Sequence, residues 1–255
     1  MNRYGLIGYP LTHSFSQKYF TEKFNRENIP DSRYDLFELP DIQKFNALVQ
    51  SVPELRGLNV TIPHKQAVIP FLDELDPASA ARIGAVNTIR VLPDGRKIGY
   101  NSDYYGFRST LEEWLQTLGL HAPALQALVL GNGGAAKAVA TALTDLGIRY
   151  RPVSRTPSAE ALSYEALSPE IMDEYRLIVN TSPVGTYPNV EASPAIPYRL
   201  LSKNHLLYDL VYNPTETRFL QLGREQGAST YNGLPMLHRQ AEKSWEIWNQ
   251  PIATL

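Results

Sequence analysis

The sequence predicts an α/β protein made of two α/β domains, the first with a mostly parallel sheet and the second Rossmann-like. Three observations predict it. Short apolar runs alternate with amphipathic segments over the first hundred residues, the pattern of strands and helices layered on a sheet. The stretch ALVLGNGGAAKAVATAL then sets a glycine turn between an apolar run and a helical one. Further apolar runs follow as far as residue 210.

Residues 4–7 read as a buried strand, and 15–28 as a helix with Ser14 as its N-cap. A strand over 34–39 and an acid-led helix over 41–50 come next. Residues 58–62 form a third strand, stopped by Pro63, and 65–72 a short helix. Segments 86–91 and 97–100 flank Pro93-Asp94-Gly95, a hairpin turn. Leu111, Trp114, Leu115 and Leu118 space a helix over 107–118, with Gly119 as its stop. A strand over 127–130, a turn over 131–134, a helix over 135–146 and a strand over 148–153 open the second domain. Strands at 177–179 and 206–210, a helix at 217–226 and an amphipathic helix at 234–248 complete it. The domain boundary is expected near Asp103.

Composition narrows the function. A formal charge of −2 gives no basic field to draw nucleic acid or a membrane, so neither is expected as a partner. The absence of cysteine removes disulfides, thiolate metal sites and cysteine nucleophiles. It fits a reducing cytoplasm, the expected location. The opening MNRYGLIGYPLTHS has no basic segment followed by a long apolar run, so no signal peptide is expected. No apolar stretch approaches the roughly 20 residues of a membrane helix. No His, Asp and Glu grouping has metal-ligand spacing, so no metal is expected. His13 and His64 are read as structural residues or as supports for residues that touch a ligand.

Gly131, Gly133 and Ala136 fit the G-x-G-x-x-A form between strand and helix. The first glycine allows a tight turn, the second lets backbone approach a pyrophosphate, and the alanine permits close helix–strand packing. The helix N-terminus offers N–H groups and a positive dipole end to phosphates. The next strand ends at Ser154-Arg155-Thr156, where NAD sites carry a carboxylate. A guanidinium suits a 2′-phosphate instead, which favours NADP(H).

In the first domain, Asn59 and Thr61 share one face of their strand. His64 and Lys65 follow at the carboxyl end, where ligands bind in open α/β sheets. Ser14 and Ser16 begin the first helix and suit an anionic group, although Ser14 also reads as a plain N-cap. Asn87 lies in another strand. Ser102 and Asp103 close the domain, with Asp103 also readable as a cap for a helix starting near Tyr104.

These residues, with others in family order, resemble the shikimate dehydrogenase family. The resemblance is carried by Gly8-x-Pro10 with Ser14-Phe15-Ser16, by Asn59-Val60-Thr61-Ile62-Pro63-His64-Lys65 and by Gly84-Ala85-Val86-Asn87-Thr88. Asn101-Ser102-Asp103-Tyr104-Tyr105-Gly106, Gly131-Asn132-Gly133-Gly134-Ala135 and Ser154-Arg155-Thr156 continue it. Tyr208-Asp209-Leu210-Val211-Tyr212 and Asn232-Gly233-Leu234-Pro235-Met236-Leu237 with Gln240 complete it.

The resemblance implies reversible NADPH-linked reduction of 3-dehydroshikimate to shikimate, on the way to chorismate and the aromatic amino acids. It gives Ser14 and Ser16 to the substrate carboxylate, and Asn59, Thr61, Asn87, Asp103 and Gln240 to the ring hydroxyls. Tyr212 matches a tyrosine near the carboxylate. Lys65 and Asp103 match the catalytic pair. The resemblance gives Gly131, Asn132, Gly133, Gly134, Ala135, Ser154, Arg155 and Thr156 to the cofactor, with Leu210 and Gly233 near the nicotinamide. It also implies that the last helix returns to the first domain. The domains are then 1–102 with 234–255 for substrate, and 103–233 for NADP. A monomer or homodimer is expected.

Where the family often has Asn the chain has Ser154, and where it often has a second basic residue the chain has Ala159. Pro235 replaces a glycine, and Ser102 a threonine. Two other readings stand beside this one: an NAD-using quinate/shikimate dehydrogenase, and a non-catalytic NADP-binding regulatory protein on the same fold.

Overall fold

The computed structural model describes residues 1–11, 14–156 and 158–251. It divides into two compact units, one comprising Met1–Ser102 with Ala241–Leu255 and the other Asp103–Gln240. His13 lies outside the described residues. Among the described residues, no helix is long and apolar enough to cross a membrane.

Unit one runs β1 (Asn2–Gly8), α1 (Phe15–Arg26), β2 (Ser32–Glu38), α2 (Phe45–Ser51), β3 (Leu55–Val60), α3 (His64–Ala67), β4 (Glu74–Leu75), α4 (Ala80–Ile83), β5 (Thr88–Val91) and β6 (Lys97–Tyr100). The six strands form one sheet in the order β2-β1-β3-β5-β6-β4. The pairs β1/β2, β1/β3 and β4/β6 are parallel. The pairs β3/β5 and β5/β6 are antiparallel.

Several boundaries differ from the expected ones for local reasons. β3 starts three residues earlier than expected, at Leu55. Gly57 within it reads as a breaker in sequence, yet glycine is accepted in a strand where another group packs closely. Here a Cβ on Gly57 would sit 2.2 Å from the Trp248 ring. The expected helix over 65–72 is one turn of α3 followed by a 3-10 turn over Ile69–Phe71. Pro70 has no N–H to continue an α-helix.

One face of this sheet carries α1 and the end of the last helix. Tyr4, Phe20, Phe24, Tyr34, Ile247 and Trp248 form the core there, and the Trp248 indole donates to the Ile89 carbonyl at 3.0 Å. Lys23 is buried in the same layer, and its ammonium pairs with Glu242 at 2.8 Å and Glu27 at 2.9 Å. A buried charge needs such partners.

Two further helices complete the framework, α5 (Ser102–Thr117), which follows β6 in the chain, and α9 (Leu234–Trp248) at its end. Between them unit two runs β7 (Gln126–Leu130), α6 (Gly134–Asp145), β8 (Arg149–Val153), α7 (Pro169–Glu174), β9 (Leu177–Asn180), β10 (Leu206–Asp209), α8 (Arg218–Glu225) and β11 (Ser229–Tyr231). Its sheet has the order β11-β10-β9-β7-β8 and every pairing is parallel. β9 and β10 are buried along their whole length, as strands covered on both faces must be. Leu128, Leu130, Ile178, Leu207 and Phe219 are central to the core on one side.

Candidate active site

In unit one the antiparallel pairings decide where the polar residues fall. β1 and β3 run the same way, so the segments after them, with Ser14, Ser16, Thr61 and Lys65, leave by one edge of the sheet. β5 runs opposite, with Thr88 paired to Asn59. Its first residues, and Asn87 just before it, therefore return to that same edge. β6 reverses again and delivers Asn101 and Ser102 there, since Tyr100 pairs with Thr88.

Under that edge lies a buried hydrogen-bond network. Asn59 Nδ2 donates to Ser244 Oγ at 2.9 Å and to the Asn87 carbonyl at 3.3 Å, while its Oδ1 accepts from Tyr34 Oη at 2.8 Å. Asn87 Nδ2 donates to Ser102 Oγ at 3.0 Å, and its Oδ1 accepts from the Ser102 N–H at 2.6 Å. The hydroxyls of Thr88, Ser102 and Ser244 lie within 2.8–3.1 Å of one another. Asn59 is 6% exposed and Asn87 3%, so both amides are fixed by neighbours rather than by water.

Ser14 is the N-cap of α1, its Oγ accepting from the Gln17 N–H at 3.2 Å. Capping uses a lone pair and leaves the hydroxyl hydrogen to donate to an anion, so the two readings of Ser14 are compatible. Thr61 lies one residue past β3, its N–H donating to the Ile7 carbonyl at 2.9 Å. The Lys65 carbonyl accepts from the Val86 N–H at 2.7 Å, which pins α3 beside Asn87. His64 is buried with Nε2 on the Leu39 carbonyl, a structural role. α5 begins two residues earlier than a cap at Asp103 requires. Asp103 lies inside its first turn, where a carboxylate favours the helix dipole, and is 9% exposed.

In unit two the glycine turn follows β7 where the strand order reverses between β7 and β9, the usual ligand position in such sheets. Gly131 has φ +116°, which side chains avoid, and a Cβ there would meet Thr181 Oγ1 at 2.8 Å. Thr181 donates to the Leu130 carbonyl through both N–H and Oγ1, at 3.0 and 2.7 Å. Asn132 is exposed. Gly133 caps α6 with no side chain on the first turn, and a Cβ on it would meet nothing within 4 Å. Gly134 and Ala135 begin the helix, and Ala136 is buried. Open space before a bare helix N-terminus fits a pyrophosphate. After β8, Ser154 Oγ accepts from the Thr156 N–H at 3.2 Å, a turn that leaves Arg155 and Thr156 exposed.

At the ends of β10 and β11 the chain closes tightly. A Cβ on Gly233 would lie 2.3 Å from the Leu210 carbonyl oxygen. Leu210 and Gly233 are thus brought together. Tyr212 is 38% exposed and Gln240 8%, both in unit two. A Cβ on Gly106 of α5 would lie 3.1 Å from Gln240 Cβ.

The profile of the family described as the shikimate dehydrogenase substrate binding domain matches residues 6–89. A shikimate dehydrogenase (NADP(+)) of Clostridium beijerinckii is 38% identical over 262 residues, covering 98% of this chain and 93% of that protein. The chain belongs to the shikimate dehydrogenase family. Among solved shikimate dehydrogenases, that of Peptoclostridium difficile is 38% identical, with a TM-score of 0.84 over 100% of this chain and 94% of that one. The Thermus thermophilus enzyme, solved in complex with NADP(H) and shikimate, is 33% identical, with a TM-score of 0.83 over 99% and 95% of the two chains.

Tyr34, Thr88, Ser244 and Thr181 also belong to the two polar regions, although each is an ordinary residue in the sequence until strand pairing sets its neighbours. The same holds for Asp209, which is 0% exposed. Burial pushes the Asp209 carboxyl up to about 6, against donors from Thr217 Oγ1, the Val211 N–H and Asn180 Nδ2 that pull it down. A raised folded pKa means the native state holds the proton more tightly than the unfolded chain. This stabilisation is complete below about pH 4 and lost as pH rises through about 6. Asp209→Asn, which cannot ionise, should therefore gain on the wild type from pH 4 to pH 7, by about 3 kcal/mol at most. Melting curves of the two proteins across that range check it, and parallel curves would contradict it.

Proposed function

We propose that this chain catalyses the reversible NADPH-linked reduction of 3-dehydroshikimate to shikimate, as an NADP-dependent oxidoreductase. The match to the Clostridium beijerinckii enzyme over 98% of the chain carries the reading. The polar edge of unit one and the glycine turn of unit two are the parts that such chemistry requires.

The glycine turn, Arg155 and the Leu210–Gly233 closure would hold the dinucleotide, and bound NADPH supplies the hydride. Ser14 and Ser16, at the positive end of a 12-residue helix, bind the substrate carboxylate. Asn59, Thr61, Asn87 and Gln240 hold the ring hydroxyls, and Tyr212 lies toward the carboxylate. Hydride arrival leaves negative charge on the carbonyl oxygen, and the Lys65 ammonium gives it a proton. In the reverse direction Lys65 takes the proton from the hydroxyl. Asp103 accepts from a ring hydroxyl and so aims the reacting carbon.

Initial rates with shikimate and quinate, each with NADP and NAD, test the assignment. Fastest NADP reduction with shikimate is expected. Preference for quinate and NAD would replace it with the quinate reading, and dinucleotide binding without turnover with the regulatory one. Arg155→Ala should raise KM for NADP about 10- to 100-fold, the worth of charge-assisted hydrogen bonds to one phosphate. KM for NAD should stay within about twofold. Equal losses with both cofactors would remove Arg155 from the 2′-phosphate.

A further inference from the structure

Asp209 ends β10 and is 0% exposed, yet no step of the proposed reaction uses its carboxylate. Its Oδ1 accepts twice, from Asn180 Nδ2 at 2.9 Å and from the Val211 N–H at 3.0 Å. Its Oδ2 accepts from Thr217 Oγ1 at 2.6 Å, and Thr217 is the N-cap of α8. Asn180 carries the tie onward, its Oδ1 accepting from the Ser182 N–H at 3.1 Å and from Ser182 Oγ at 2.7 Å. The Asn180 amide is fixed in this orientation, because a backbone N–H only donates and a carboxylate only accepts. The two segments held in this way lead to the two cofactor regions of unit two. Residues 181 and 182 lie against the glycine turn, where a Cβ on Gly131 would be 2.8 Å from Thr181 Oγ1 and 3.4 Å from the Ser182 nitrogen. On the other side the Val211 carbonyl accepts from the Gly233 N–H at 3.3 Å.

We infer that Asp209 is a positioning residue for the dinucleotide, its carboxylate locking the segment after β9 to the segment after β10. The inference rests on the functional reading above, in which the glycine turn meets the pyrophosphate and Leu210 and Gly233 lie by the nicotinamide. The ladder between the two strands ends with the Leu210 N–H on the Asn180 carbonyl at 3.0 Å. Past that point the Val211 and Ser182 N–H groups turn to side-chain acceptors, Asp209 and Asn180. Because those two side chains bond each other, the segments keep one spacing. The distance between the pyrophosphate and nicotinamide seats is then set before the dinucleotide arrives.

Asp209→Leu keeps the branch at Cγ and removes both acceptors. It should raise KM for NADP and KM for NAD by the same factor, about tenfold, with KM for shikimate within about twofold. Loss of folded protein alone would lower the apparent kcat and leave both cofactor constants where they were. Asp209→Asn keeps an oxygen for Asn180 and Val211 and turns its amide to the Thr217 oxygen. Its cofactor constants should stay within about threefold of wild type. Unchanged cofactor constants in Asp209→Leu, a rise for NADP alone, or an equal rise in Asp209→Asn would overturn the inference. A measurement on the wild type decides the matter if the leucine variant does not fold. 2′-Phospho-ADP-ribose is NADP without its nicotinamide ring. At saturation it should slow hydrogen exchange at the Ser182 and Val211 N–H groups together, by about fivefold or more. Absence of slowing at Val211 would also overturn the inference. A wild type that binds the dinucleotide and does not turn over shikimate would instead sink the functional reading itself.

Discussion

Lys65→Met should lower kcat about 10²- to 10⁴-fold while KM for shikimate changes only a few-fold. Methionine keeps the length and apolar stem of lysine and removes the ammonium. The Lys65 carbonyl, which the substitution keeps, accepts from the Val86 N–H and pins α3 at this point, so the fold should tolerate the change. In the proposed reaction, what is lost is the proton that neutralises the carbonyl oxygen as hydride arrives. That charge exists in the transition state and not in the bound ketone, so the loss falls on kcat. Steady-state rates in both directions check it, and both should fall together, since one group gives and takes the same proton. Turnover within a few-fold of wild type would show that another group moves the proton.

Gly233→Ala should lower turnover about 100-fold and destabilise the protein by about 1–3 kcal/mol. The three atoms nearest the added Cβ are all backbone: the Leu210 oxygen at 2.3 Å, the Leu210 carbonyl carbon at 2.6 Å and the Asp209 oxygen at 2.9 Å. No side chain can rotate to make room. The Leu210 N–H is also tied to the Asn180 carbonyl at 3.0 Å, so the strain spreads into β9 and β10. In the proposed reaction these residues lie beside the reacting ring, where a displacement of the order of 1 Å is enough to cost about two powers of ten. NADP titration and melting curves, read with the rates, separate poor cofactor placement from poor folding. A variant with wild-type rates and cofactor affinity would remove Leu210 and Gly233 from the cofactor site.

Long periodic segments were legible in sequence, and short ones were not. The helix over 234–248 is read with its observed bounds because apolar spacing continues for four turns. β4, with two residues, and β11, with three, carry too little pattern to be seen, and only pairing with a neighbour makes them strands. Gly57 hid the start of β3, because the indole that needs its bareness lies at the far end of the chain. The site divides in the same way. Gly131, Gly133 and Lys65 stand out because a turn or a strand end beside them gives them meaning locally. Tyr34, Ser244 and Asp209 acquire theirs only from partners on other elements: Asn59, Thr88 and Thr217.

The hairpin of β5 and β6 reverses the chain at Pro93-Asp94-Gly95, so Asn87 and Ser102 emerge along the same rim as Thr61 and Lys65. The far rim carries the hairpin turn, with open space around the Gly95 α-carbon. A graft such as a dye or an affinity handle belongs on that idle side, where added length meets solvent and leaves the amide network untouched.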